Sequence, residues 1–226
     1  MNVNHISRET ELPEAVLLDM DGLLLDTESV ARDAFFASCK HINFVCAESD
    51  YAQLTGHGSV LRDKILSKIL PVETDMTSFN QFWWETFHHI LSKEVRVKQG
   101  ALDFLEFMYH QKVKIAVATS SYTQSADTLL SRANLRPYIG IIIGGDQVIN
   151  AKPAPDIYLK VASSVNVAAK NCIAFEDSDV GTKAAHAAGV PVIQIPDISA
   201  PNAESIALGH LIFNSLDIAR DKLGWR

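Results

Sequence analysis

Along the chain, short wholly apolar runs alternate with stretches of helical period, except over one long interval where the short runs stop. The runs fall at about 15–20, 113–118, 141–143, 172–175, 192–195 and near 211–213. Each has strand length, and a run without polar alternation fits a strand covered on both faces of a parallel sheet. Between them lie helical patterns over about 101–110, 123–133, from Pro155 onward, and 179–188, the last closed by Gly189. Ala126, Leu129, Leu130 and Ala133 fall at i, i+3, i+4 and i+7, and Tyr158, Val161, Ala162 and Val165 share one face. Repeated strand–helix alternation predicts the α/β class, with a doubly wound parallel sheet. The interval 28–97 differs. It predicts helices over about 28–41, 49–55, 59–70 and 77–93, the second ended by Gly56-His57-Gly58 and the third by Pro71. In the fourth, Phe79, Phe82, Trp83, Phe87 and Ile90 form a stripe, with Trp84, His88 and His89 at its rim. This block carries no strand signal, so it reads as an all-helical insertion into a core formed by 1–27 and 98–226.

Composition narrows the function classes. A chain of 226 residues, 47% hydrophobic and 21% charged, is long enough for a domain with an insertion. Its net charge of −7 argues against nucleic acid, whose binding is led by Lys and Arg on phosphates. A small anionic substrate stays open if a metal and a lysine make the site locally positive. Cys39, Cys46 and Cys172 are odd in number and lack CxxC spacing, which reads as free thiols in a reducing, cytoplasmic setting. Residues 1–14 form a polar lead-in without the apolar centre of a secretory signal, and no apolar run approaches the ~20 residues of a membrane span. The expectation is a monomer that engages neither membrane nor nucleic acid.

Candidate chemistry gathers at the strand ends. The first run leads into Asp19-Met20-Asp21-Gly22. Gly22 breaks the strand, so both carboxylates stand at its carboxyl end, the edge that faces the ligand crevice in open α/β sheets. Side chains two apart in extended chain point the same way. A calcium-binding EF-hand loop also opens on alternating acids, but its glycine is sixth and a glutamate closes it at twelve, which does not occur here. A turn with incidental acids is the plainer reading of the tetrapeptide alone. The run 113–118 ends in Thr119-Ser120-Ser121, hydroxyls fit either to bind an anion beside free N–H groups or to cap a helix. Lys152 stands in a proline-rich loop, Ala151–Asp156, where Asp156 reads as a helix cap. The run 172–175 leads into Glu176-Asp177-Ser178-Asp179, acids that need a cation or solvent, with Asp179 the simplest N-cap.

Together these stretches resemble the four motifs of the haloacid dehalogenase-like hydrolases, in family order and spanning 15–190. The string Asp19–Glu28 resembles the branch of that family holding β-phosphoglucomutases and small sugar-phosphate and nucleotide phosphatases. The small residues Gly181, Ala184, Ala185, Ala187, Ala188 and Gly189 extend the likeness, and the helical insertion matches the family's cap, which closes over the site. The resemblance implies an Mg²⁺-dependent phosphatase of a small phosphorylated metabolite. Asp19 is then the nucleophile that becomes an aspartyl-phosphate, and Asp21 the acid and base. Thr119 and Lys152 hold the phosphoryl oxygens, with Ser120 a lesser candidate beside them. The cation's ligands are Asp19, the main-chain carbonyl of Asp21 and Asp177, with Glu176 in support. In the cap, His57 and Arg62 are candidate substrate contacts, against the plainer reading of a solvated loop. A phosphomutase is the alternative. It is disfavoured because Ala31, Thr55 and Ser59 stand where the mutases of the branch carry a histidine, a lysine and an arginine.

Overall fold

A computed structural model of the chain describes residues 11–54 and 59–225, with backbone alone at 59–61. In chain order the elements are β1 (Ala15–Leu18), α1 (Thr27–His41), α2 (Glu48–Ala52), α3 (Ser59–Ile69), α4 (Met76–Lys93), α5 (Ala101–His110), β2 (Lys114–Ala118), α6 (Thr123–Arg132), β3 (Ile141–Ile143), α7 (Asp156–Ser164), β4 (Cys172–Glu176), α8 (Asp179–Ala187), β5 (Val192–Gln194), α9 (Ala203–Ile206), β6 (Leu211–Ile212) and α10 (Leu216–Lys222). The chain divides into two compact units, Met1–Leu25 with Arg96–Arg226, and Asp26–Val95.

The first unit is α/β. Its sheet runs β3-β2-β1-β4-β5-β6 with every described pairing parallel. This order reverses between β1 and β4, and in doubly wound sheets the crevice lies outside the carboxyl ends of the strands at that reversal. β1 is central because Ala15, Val16, Leu17 and Leu18 are all fully buried and can be accommodated only with a layer on each face. On one face Leu17, Ala116 and Ala174 pack with Tyr158 and Val161 of α7 and with Ala184 and Ala185 of α8. On the other, Phe104 of α5 meets Phe175 edge to face at 4.9 Å. The register sets the site. Leu18 stands opposite Val117 and Phe175, so Asp19, Ala118 and Glu176 reach the sheet's carboxyl edge at one level.

The second unit is helical. Its core centres on Phe35 of α1, which meets Phe79 and Trp83 of α4 edge to face at 6.0 and 5.2 Å. Tyr51, Leu54, Leu66 and Leu70 close around it. The Trp83 indole N–H donates to the Ala31 carbonyl at 2.9 Å, and Asp75 caps α4 by accepting from Thr77 N and Ser78 N. The aromatic stripe of α4 is narrower than its spacing implied. Within α4 Phe79 and Leu91 are buried, Phe82, Trp83, Phe87 and Ile90 are half-buried, and Trp84 is 63% exposed.

Two expectations near helix starts are corrected. The cap of α8 is Ser178, whose side chain accepts from Gly181 N, and Asp179 is the first helical residue. Asp156 likewise opens α7 rather than capping it, and its carboxylate accepts from Asn150 N and Nδ2. The hydropathy pattern did not predict α9 or α10, which are short and bury few residues. Among the described residues no helix is long and apolar enough to cross a membrane.

Candidate active site

The site begins with the turn after β1. Asp19 N donates to Phe175 O at 3.0 Å, which keeps the chain in the sheet for one more residue. The chain then folds back, with Leu24 N and Leu25 N both bonding Met20 O and Gly22 N bonding Leu25 O. Gly22 has φ +81°, a conformation costly to residues with a side chain, and a Cβ there would overlap the Asp177 carboxylate. Glycine therefore serves both the turn and the close approach of a second acidic loop. Asp21 turns toward the end of β2, where its Oδ2 accepts from Thr119 Oγ1 at 3.2 Å and Ser121 Oγ at 2.9 Å. Thr119 is fully buried and its Oγ1 also accepts from Ser121 N. It caps no helix, since α6 starts at Thr123.

Lys152 joins the strand ends. Its Nζ donates to Asp19 Oδ1 at 2.5 Å, Glu176 Oε1 at 2.6 Å and Ala118 O at 3.0 Å, drawing together the ends of β1, β4 and β2. Glu176 is fully buried and also accepts from Tyr158 Oη at 2.6 Å and Ser178 Oγ at 3.1 Å. A Cβ at Gly181 would overlap this carboxylate, so the first turn of α8 can pass over Glu176 only as glycine. Carboxylate oxygens of Asp19, Glu176 and Asp177 lie within 4.8 Å of one another.

This cluster is short of positive charge. Burial, with Glu176 and Asp21 adding to it, pushes Asp19 up to about 8 despite the opposing Lys152. Burial alone would lower Lys152, but Asp19 and Glu176 outweigh it and hold the ammonium charged. Burial and then Glu176 raise the Tyr158 phenol well above its ordinary value, so it stays a donor. An all-oxygen set of clustered acids with too little countercharge suits a hard divalent cation, and Asp19, Asp177 and Glu176 fit one. A cavity of about 250 Å³ opens beside Lys152, lined by Ser120, Tyr122, Gly145, Asp146 and Val148 among others.

The sheet edge thus gathers Asp19, Asp21, Thr119, Lys152, Glu176 and Asp177. Ser120 is exposed and lines the adjoining cavity. Arg62 belongs to the helical unit, where its guanidinium lies 5.3 Å from the Trp83 ring and its buried Nε makes no hydrogen bond with the described residues. His57, with Thr55 and the Ser59 side chain, lies outside the described residues. Sequence reasoning took Tyr158 as core alone. A buried tyrosine hydroxyl seeks a partner, and that was the signal available for it. Ser121 could have been found from Thr119, two residues before it.

A doubly wound α/β core whose strand ends present acids around one lysine offers a site that fits a divalent cation. The comparisons with known proteins specify it. The haloacid dehalogenase-like hydrolase family model matches residues 16–195, and the chain belongs to that family. It is a hydrolase, in the branch that holds its phosphatase relatives. A "Phosphorylated carbohydrates phosphatase" of Thermotoga maritima is 32% identical over 177 residues, covering 78% of this chain and 82% of that protein. Fructose-1-phosphate phosphatase YqaB of Escherichia coli is 28% identical over 180 residues, 80% of this chain and 95% of that one. In fold, the crystal structure of CbbY from Rhodobacter sphaeroides in complex with phosphate superposes with a TM-score of 0.71 at 24% identity, covering 91% of this chain and 95% of that one.

Proposed function

We propose that the protein is an Mg²⁺-dependent phosphatase that hydrolyses a small sugar phosphate through an aspartyl-phosphate. The observation that carries this is Lys152 Nζ bonded at once to Asp19 and Glu176, with Asp177 in the same carboxylate cluster. Asp19 attacks phosphorus, the ester oxygen leaves, and one hard displacement becomes two easier ones. Asp21 protonates the leaving oxygen and then takes a proton from the water that cleaves the acyl phosphate, help worth typically ~10²–10⁴-fold. Thr119 and Ser121 orient its carboxyl for both steps. Lys152 offsets the meeting of two anions and the charge on the equatorial oxygens. Glu176 is fully bonded, and it positions Lys152 rather than reacting. Asp19, the Asp21 carbonyl and Asp177 would hold the Mg²⁺, which when bound would supply charge neutralisation to the incoming phosphate. The unit Asp26–Val95 is the family's cap, and it selects the substrate.

Two relatives named for carbohydrate and fructose phosphates support the sugar-phosphate reading, and relatives named an FMN phosphatase and a probable pseudouridine-5'-phosphatase make nucleotide-like esters the second class to screen. The test is a screen of phosphate esters with the purified protein and Mg²⁺, read by phosphate release, with Asp19→Asn alongside. Sugar phosphates should turn over and Asp19→Asn should not. A variant rate within about tenfold of wild type, ~1.4 kcal/mol of barrier, overturns the assignment.

A further inference from the structure

One carboxylate beside the acidic cluster matches none of the four motifs. Asp197 follows β5, the strand next to β4, and the two strands stay bonded to their ends through Ile195 N and Glu176 O at 2.6 Å. This carries Asp197 to the turn at Gly22. Its Oδ1 accepts from Lys98 Nζ at 2.5 Å. Its Oδ2 is buried and makes no hydrogen bond with the described residues. A Cβ built on Gly22 would lie 3.3 Å from that Oδ2 and would overlap Asp177 Oδ2, so both oxygens face the same small space above the glycine. Lys98 is itself fixed, because its N–H bonds Leu24 O at 2.9 Å in the same turn.

A buried carboxylate oxygen is costly without a donor. Asp197 has a lysine on its other oxygen, and its free oxygen points at the space shared with a candidate cation ligand. A structural ion pair needs only the first of these features. Mg²⁺ dehydrates reluctantly and keeps several waters as ligands, and such waters are donors that need acceptors. Groups that receive those hydrogen bonds tune metal affinity by about 10–100-fold.

Resting on the reading of the cluster as a cation centre, we propose that Asp197 is a positioning residue of that centre: its free Oδ2 accepts a hydrogen bond from the hydration shell of the bound divalent cation, while its Oδ1 accepts from Lys98. Lys98 and Asp197 then have opposite effects on the cation. Asp197 adds negative charge and an acceptor, and Lys98 adds a positive charge that opposes binding.

The experiment is calorimetric titration of the whole protein with Mg²⁺ alone, without substrate, on wild type, Asp197→Asn, Lys98→Met and Asp177→Asn. Asp197→Asn should raise the Kd about tenfold or more. Lys98→Met should bind Mg²⁺ as tightly as wild type or more tightly. If Asp197→Asn does not fold, Asp197→Ala takes its place with the same expected direction. A Kd within twofold of wild type for the Asp197 variant, or a Lys98→Met Kd raised as far as that variant's, overturns the proposal and leaves the pair a structural bridge. Failure of wild type to bind, or no loss in Asp177→Asn, instead overturns the cation centre itself.

Discussion

Two residues govern the state of the buried carboxylates, Asp19 by its charge and Gly181 by the room it leaves Glu176. In the proposed mechanism Asp19 attacks as an anion, yet burial pushes it up to about 8 from the ordinary 3.8. In the metal-free protein the folded state therefore retains a proton that the unfolded chain releases. The sign follows: between 3.8 and about 8 the folded state binds more protons, so this group's contribution to stability is lost as pH rises through that window. Thermal unfolding of the chelator-treated protein across these pH values should show a decline in Tm that Asp19→Asn lacks. Equal profiles for the two proteins would contradict it. Gly181 is the second. Alanine there forces the Glu176 carboxylate away from Lys152, Tyr158 and Ser178, and overpacking of this kind costs about 1–3 kcal/mol. Gly181→Ala should lower both the denaturation midpoint and kcat. Unchanged turnover would show that Glu176 does not matter to Lys152.

At the scale of elements, the sheet edge works because β1, β2 and β4 end in register and the loop before α7 brings Lys152 to the same level. Ser178 shows how local and tertiary demands meet: it caps α8 through Gly181 N and bonds Glu176 with the same hydroxyl. Ser178→Ala should cost about 1 kcal/mol of stability, read by denaturant unfolding, as loss of a helix cap does. The helical unit depends on one ring. Phe35 is fully buried among Phe36, Tyr51, Phe79 and Trp83, and Phe35→Ala should cost about 3–5 kcal/mol. A shift in unfolding midpoint well below that range would mean that the unit repacks around the vacated volume.

For the molecule as a whole, a chain of net charge −7 that handles phosphate must reverse its sign locally. Lys152 alone does not do so among Asp19, Glu176 and Asp177. Chelation should therefore abolish phosphate release and Mg²⁺ restore it. Ca²⁺ should not substitute, because it accepts more ligands in a looser geometry and can engage both oxygens of Asp19. Equal rates with the two ions would contradict this. Hydrolysis should also win over transfer. With β-glucose 1-phosphate and trace β-glucose 1,6-bisphosphate, free phosphate should form faster than glucose 6-phosphate; the reverse order would favour a mutase.

The sequence alone determined the architecture, because short wholly apolar runs alternating with helical stretches fit strands buried in a parallel sheet between helices. It also singled out Asp19, Asp21, Glu176 and Asp177 as acids in need of a cation or solvent, while Thr119 and Lys152 entered through the resemblance to the family's motifs. Tertiary structure decided what pairing does. That Ser121 rather than Ser120 reaches Asp21, that Tyr158 is more than core, that Ser178 rather than Asp179 caps α8, and that Asp197 faces Asp177 across Gly22 all depend on residues distant in sequence. Hydropathy reports whether a side chain is buried, not which polar atom meets it there. Those meetings are set by strand register and by the close approaches that Gly22 and Gly181 permit.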